Sequence, residues 1–462
     1  MVGSGPNGLA AAVTLARAGL AVEVFEGAET PGGGCRTAAL TLPGYAHDVC
    51  STIHPLAAAS PFFASFTSAQ IPLRVPEVAF AHPLDGGRAA AVFGSVADTA
   101  ETLGEDARAY RRLVGPLVEH ADQIILRALG PIRPLPVPPR SMARFAALGI
   151  QPARLLAARL QTTTARAAFA GCAAHSIQPL THPLSGGFGL VMTILAHSVG
   201  WPVVEGGSAG ITTALVAELE RHGGKLHTGR WIENLAELPS ARATLLDVTP
   251  RQLLALDDGR LPARYRRALG RYRYGPAIFK VDWALSGPVP WIAEGCRATA
   301  TVHVGGTFEE IARSEADVAA GRLPEQPFCI VVQSTVPDPT RAPSGHHTLY
   351  AYCHVPNGAT LDMTERIESQ IERFAPGFRD LVLARVSSPP ARVEAENPNY
   401  VGGDIASGST SVRQTVFRPT VALRSYRTPV RGLYLCSAAT PPGGGVHGMC
   451  GARAAGVALR EL

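Results

Sequence analysis

Three glycines at the start of the chain, Gly3, Gly5 and Gly8, stand in the spacing Gly-x-Gly-x-x-Gly. That spacing lets a chain turn tightly and brings helix N–H groups against a pyrophosphate, whose charge the helix dipole favours. Pro6 and Asn7 lie inside the turn, and a proline suits a first helical turn because its missing N–H is not needed there. Roughly 20 residues further on, Glu26 offers a carboxylate that accepts from ribose hydroxyls and repels a 2′-phosphate, which favours FAD or NAD over NADP. Gly32-Gly33-Gly34-Cys35-Arg36-Thr37 then supplies flexible backbone beside a guanidinium and a hydroxyl, a second clamp for the same pyrophosphate.

Near the other end, Gly443, Gly445 and Gly448 repeat the glycine spacing, but only fourteen residues follow. A second nucleotide unit would need a further strand and acid there, and neither has room. The better use of this loop is to face the ring of a cofactor whose phosphates sit at the first turn, with N–H groups at Gly448 and Met449 stabilising negative charge. His447 lies inside the loop and is the candidate acid or base, its alternative role being a hydrogen-bonding cap. His303, His354, Asp48 and Asp404 are further candidates, each with a core or turn role as the alternative.

The elements around these residues read as a β-α-β unit: a helix over residues 6–18 stopped by Gly19, then a strand over 21–26. Only Met1 and Val2 precede Gly3, so the first strand is either a stub or begins upstream of this methionine. A second block predicts a helix capped by Ser208 and closed by Gly223-Gly224, strands over 225–228, 231–235 and 244–248, and a helix after Thr249-Pro250. The end repeats strand then helix, over 433–436 and 449–459. Between these blocks, 96–128 and 142–174 read as helical; 277–283, 328–334 and 348–355 read as strands, and 363–374 as a helix with Ile367, Ile371 and Phe374 on one face. The expectation is an α/β protein whose Rossmann-like dinucleotide domain (1–65, 201–270 and 415–462) is interrupted twice by an α+β substrate domain (66–200 and 271–414).

A chain of 462 residues with 46% hydrophobic and 17% charged residues is no disordered or fibrous protein. The net charge of +5 comes from scattered arginines, Lys225 and Lys280 being the only lysines, and no basic run marks a nucleic-acid site. The eight cysteines include no Cys-x-x-Cys pair, so neither a metal site nor a thiol relay is expected, and reduced thiols suit a cytoplasmic protein. One uncharged stretch, 167–204, is long enough to span a membrane, but Pro179, Pro183, Gly186, Gly187 and Pro202 break it. It reads as buried core or the wall of an apolar channel, with a peripheral membrane contact as the alternative.

Residues 32–37 resemble the second motif, Gly-Gly-Arg-x-x-Ser/Thr, of the glutathione-reductase-like flavoproteins, with Gly34 at the arginine position, Arg36 two residues later and Thr37 in place. The segment 432–451 resembles the closing motif of phytoene-desaturase-like flavoproteins, including the branch named pyridine nucleotide-disulphide oxidoreductase domain-containing protein 2. Segments 247–253, 303–307, 352–356 and 397–404 also resemble that branch. The resemblance implies FAD as cofactor, held by Gly3, Gly5, Pro6, Asn7, Gly8, Glu26, Gly33, Gly34, Arg36, Thr37 and Ile232, and by Ala439, Thr440, Gly444, Gly445, Val446, His447, Gly448 and Met449. It departs at 437–440, where related flavoproteins often carry Gly-Asp, so that Ala439 and Thr440 serve differently. It further implies a dehydrogenase or desaturase that removes two electrons from an apolar or extended organic substrate, which the spare-motif argument sends on to oxygen or a quinone. A flavin-binding regulatory protein with little turnover, an amine-oxidase-like enzyme and an NAD-dependent dehydrogenase are the competing readings.

Overall fold

Two-stranded parallel pairs at the amino-terminal turn form the nucleotide half. Glu23–Phe25 pairs with Lys225–His227, and Thr244–Leu246 pairs with Leu433–Leu435. Val2 bridges the two pairs in parallel, to Phe25 on one side and Leu246 on the other. A single residue thus holds the place of the central strand, fixed by Val2 N–H to Leu245 O (3.1 Å) and Gly3 N–H to Phe25 O (2.8 Å). The computed structural model describes residues 1–67, 69–131, 140–422 and 425–462.

The Pro6–Arg17 helix follows, its Ala-rich face buried without a side-chain cap. The Met449–Leu459 helix packs directly on it, because Gly451 lets the Asn7 carbonyl approach so closely that a Cβ would overlap it. The Ala209–Arg221 helix closes the other side. Ser208 precedes this helix without capping it: its hydroxyl donates to Ser51 O and bonds His54 Nε2 (2.8 Å) instead. The expected strand over 231–235 is absent. Trp231 is exposed, and Asn234 and Glu237 cap a 3-10 turn, Leu235–Glu237, in its place.

The second half is a seven-stranded sheet, in the order Val382–Ser388, Ala277–Leu285, His347–Val355, Cys329–Val332, Thr301–Val304, Val78–Pro83, Ala89–Phe93. All neighbours are antiparallel except Thr301–Val304 beside Val78–Pro83. Strand residues alternate between faces, so two different surfaces arise from one buried sheet. One face is apolar: Phe279, Val281 and Trp283 lie with Ala351 and Cys353 under Ile367, Ile371 and Phe374 of the Thr364–Phe374 helix. The other face carries Lys280, Asp282, Tyr350 and His354, all buried, with Tyr352 partly buried among them, and turns toward the nucleotide half. Helices Thr163–Ala174 and Ser185–Ser198 cover its far end. The uncharged stretch supplies all of the second and the part of the first after Arg166, and among the described residues no helix is long and apolar enough to cross a membrane.

Candidate functional site

The glycine turn is built as its spacing requires. Gly3 takes φ +89°, a left-handed conformation that favours glycine, and a Cβ on Gly8 would overlap the Gly3 carbonyl. Gly3, Gly5, Pro6 and Asn7 line a cavity of about 870 Å3. Gly8 lies behind them, its N–H donating to Asp247 Oδ2 at 2.8 Å. Glu26 lines the same cavity, its Oε2 accepting from the Ser4 N–H (2.8 Å) and hydroxyl (2.6 Å) and its Oε1 from the Ala28 N–H (2.9 Å). The acid is therefore tied to the turn it serves.

Asp247 was given no role by sequence reasoning, although it stands at the carboxyl end of the third parallel strand, Thr244–Leu246. Its carboxyl lies beneath the turn, where a Cβ on Gly5 would come within 2.7 Å of Oδ2. Burial raises its pKa to about 7, against the pull of the Gly8 N–H and with a further push from Glu26. A carboxyl with a raised folded pKa stabilises the fold fully below its ordinary value and loses that contribution as pH rises through about 7. The same charge opposes an anion at the turn. Dinucleotide affinity is therefore expected to fall above pH 7, by up to about tenfold per pH unit, and Asp247→Asn is expected to flatten the dependence. Calorimetric titration of ADP from about pH 6 to pH 8 checks this; a slope unchanged in the variant contradicts it.

At the second loop, Gly33, Gly34 and Arg36 line the cavity. Gly33, at φ +55°, packs close on Gly5, a Cβ there lying 3.2 Å from the Gly5 Cα. Arg36 is already engaged by backbone, its Nε donating to Gly33 O (2.8 Å) and a terminal nitrogen to Glu396 O (2.9 Å). Thr37 departs from the expected clamp: it does not line the cavity, its hydroxyl donates to Asp48 Oδ1 (2.7 Å), and it accepts from the Ala209 N–H (3.1 Å). Ile232 lines the cavity as expected.

The carboxy-terminal loop contributes Gly444, Gly445 and Val446 to the wall, joined by Ser437 and Ala438. Ala439, Thr440, Gly448 and Met449 stand behind it, with the Thr440 hydroxyl on Ser437 O (2.8 Å). The Met449 N–H, expected to face a ring, is taken by His447 Nδ1 at 3.0 Å. His447 Nε2 meets Gly443 O at 3.2 Å, so both ring nitrogens are spent on backbone, and burial lowers the pKa to about 4. His447 is a cap that shapes the loop, and it does not line the cavity. Asp404 likewise holds a turn, accepting from the N–H groups of Gly275, Ala406 and Gly408 at 2.7–2.8 Å.

From the loop the cavity continues to the polar face of the large sheet, where Tyr350, Tyr352 and His354 project side by side. Phe188, Met192 and Trp201 form its apolar wall. Burial raises both phenols, so they stay uncharged. His354 Nδ1 bonds Glu315 Oε1 at 2.8 Å, and both side chains are 1% exposed. His303 does not line the cavity. It bonds His175 Nε2 to Nε2 at 3.0 Å, and burial lowers both, His175 to about 3, so the pair is neutral. On the same face Lys280 Nζ holds both oxygens of Asp282 (2.6 and 2.7 Å) and the Asp48 carbonyl (3.0 Å), and Arg341 pairs with Asp48 at 2.7 Å. Asp48 thus joins the halves and is not a wall of the site.

Residues 1–66 match the NAD(P)-binding Rossmann-like domain. The whole chain aligns with 93% of the rat pyridine nucleotide-disulfide oxidoreductase domain-containing protein 2, at 25% identity. It also aligns over 53% of its length with 51% of the neurosporene-forming phytoene desaturase of Rhodobacter capsulatus, at 26% identity. The chain is thus similar in sequence to a phytoene desaturase and to a pyridine nucleotide-disulfide oxidoreductase domain-containing protein. A solved oxidoreductase from Methanosarcina mazei superposes over 98% of both chains with a TM-score of 0.64, at 16% identity. The chain shares the fold of that oxidoreductase, and its own nucleotide turn and sheet-floored cavity occupy the two ends of one space.

Proposed function

We propose that the chain is an FAD-dependent oxidoreductase of the phytoene-dehydrogenase-like type, removing two electrons from a largely apolar organic substrate. The observation that carries this reading is the continuity of the cavity, from a dinucleotide turn with its acid to a buried, polar-studded sheet face. The residues fit an extended dinucleotide. Glycines at 3, 5 and 33 leave no side chain between backbone and cavity, and Asn7 Oδ1 is buried at the wall with no partner among the described residues.

Gly3, Gly5, Pro6 and Asn7 would hold the pyrophosphate, Glu26 the adenosine ribose, and Gly444, Gly445 and Val446 the ring end. FAD supplies a two-electron acceptor when bound. The protein's own part is to position and to exclude water. Phe188, Met192 and Trp201 wall off the substrate end, while Tyr350 and Tyr352 offer neutral hydroxyls on its floor.

The electrons are expected to leave to oxygen or a quinone. A nicotinamide needs its own phosphate turn, and the other glycine-rich turn already gives Gly443, Gly444, Gly445 and Val446 to the wall of the same cavity. Anaerobic photoreduction followed by stopped-flow mixing tests the claim. Rapid reoxidation by oxygen or a quinone with slow reoxidation by NAD+ and NADP+ supports it, and fast reoxidation by NAD+ alone overturns it.

A further inference from the structure

His354 stands on the cavity floor with one ring nitrogen committed and the other bare. Its Nδ1 meets Glu315 Oε1 at 2.8 Å, and a carboxylate only accepts, so the proton of the ring sits on Nδ1. In the neutral ring Nε2 is then the acceptor, and it is buried without a hydrogen-bond partner among the described residues. A buried polar atom left unpaired is costly, and such atoms in native sites mark a position that a ligand or water fills. Glu315 is itself 1% exposed on the Phe308–Ala319 helix, so the tautomer is imposed from inside the protein rather than by solvent.

The surroundings define what can reach Nε2. Phe328 and Tyr352 flank the ring, at centroid distances of 6.2 and 6.0 Å. The other titratable groups facing it are Glu315, the Tyr352 phenol, which burial keeps neutral, and His175, which burial also keeps neutral. Lys280, whose ammonium sits 4.8 Å from the Tyr350 ring, does not line the cavity and is already held by both oxygens of Asp282, so it is not free to pair with an anionic head group.

We propose that the substrate is a largely apolar molecule bearing one neutral O–H or N–H group, and that this group donates to His354 Nε2. Glu315 is the positioning residue that keeps Nε2 an acceptor. The proposal rests on the oxidoreductase reading of the cavity, but it concerns binding alone.

Calorimetric titration with a medium-chain alkan-1-ol, the matching alkane and the matching alkanoate, on protein whose flavin content is measured separately, tests it. The alcohol is expected to bind roughly tenfold more tightly than the alkane and the alkanoate, the worth of one buried hydrogen bond. His354→Phe should erase that preference. Glu315→Ala should weaken it, whereas Glu315→Gln, whose amide oxygen still accepts from Nδ1, should retain it, a rescue that loss of packing alone does not produce. Equal affinities for alcohol and alkane in the unaltered protein, tighter binding of the alkanoate, or a preference that survives His354→Phe overturns the proposal. A protein without flavin that still prefers the alcohol would defeat the oxidoreductase reading and leave this one standing.

Discussion

Replacing Lys280 by methionine is expected to destabilise the fold by about 3–5 kcal/mol, the cost of stranding a buried charge. Lys280 bonds both oxygens of Asp282, it sits over the Tyr350 ring at 4.8 Å, and the side chains of the ion pair are 2% and 0% exposed. Methionine fills the volume but takes the ammonium away from Asp282, whose carboxylate then has the His47 Nδ1 at 3.5 Å as a neighbour. Removing both charges, in Lys280→Met with Asp282→Leu, should recover much of the loss, because a well-packed apolar pair no longer needs compensation. Urea unfolding midpoints at constant m-value measure both; a loss below about 1 kcal/mol in the single variant would mean that the pair carries little.

The adjoining Asp48 and Arg341 give this cluster a pH signature. Burial alone would raise the Asp48 pKa, but the charge and hydrogen bond of Arg341, with the Ser208 N–H and the Thr37 hydroxyl, bring it below the ordinary value. The sign is that of a depressed carboxylate: its contribution is present above the ordinary pKa and lost as pH falls through the folded one.

Gly8→Val is expected to lower dinucleotide affinity by more than about a hundredfold, beyond the span of a single lost hydrogen bond. Any Cβ at this position overlaps the Gly3 carbonyl and comes within 2.9 Å of Asp247 Oδ2, so the turn must open or the helix must move away. The Gly3 carbonyl is backbone, and the Asp247 carboxylate is held in place by the Gly8 N–H itself. Gly19→Ala is the control: Gly19 has φ +81° but open space where a Cβ would go, so the variant should lose about 1 kcal/mol to backbone strain and keep its affinity. Titration of both apoproteins with FAD, followed by flavin fluorescence, separates a failed cradle from general destabilisation.

Much of this architecture was legible because local chemistry announced it. The glycine turn, the Met449–Leu459 helix and the apolar face of the Thr364–Phe374 helix follow from spacing that needs no distant partner. Val2 reads from sequence as the stub of a first strand or the end of one that begins upstream, and it makes single parallel bridges to Phe25 and Leu246. The expected strand at 231–235 failed because Asn234 and Glu237 satisfy the backbone locally, which outweighs an apolar run.

The site was legible at its nucleotide end and opaque at the other. Lys280 and Asp282 lie two residues apart, but Asp48 and Arg341, which complete their cluster, come from far along the chain. His354 was one histidine among several until the fold brought Glu315 against it. His447, more prominent in the sequence, spends both nitrogens on its own loop.

The central claim is that the cavity holds FAD. Purified protein, denatured in acid to release its chromophore and analysed by chromatography against authentic flavins, is predicted to yield FAD. Release of FMN, or a colourless protein that takes up no added FAD, would contradict the account.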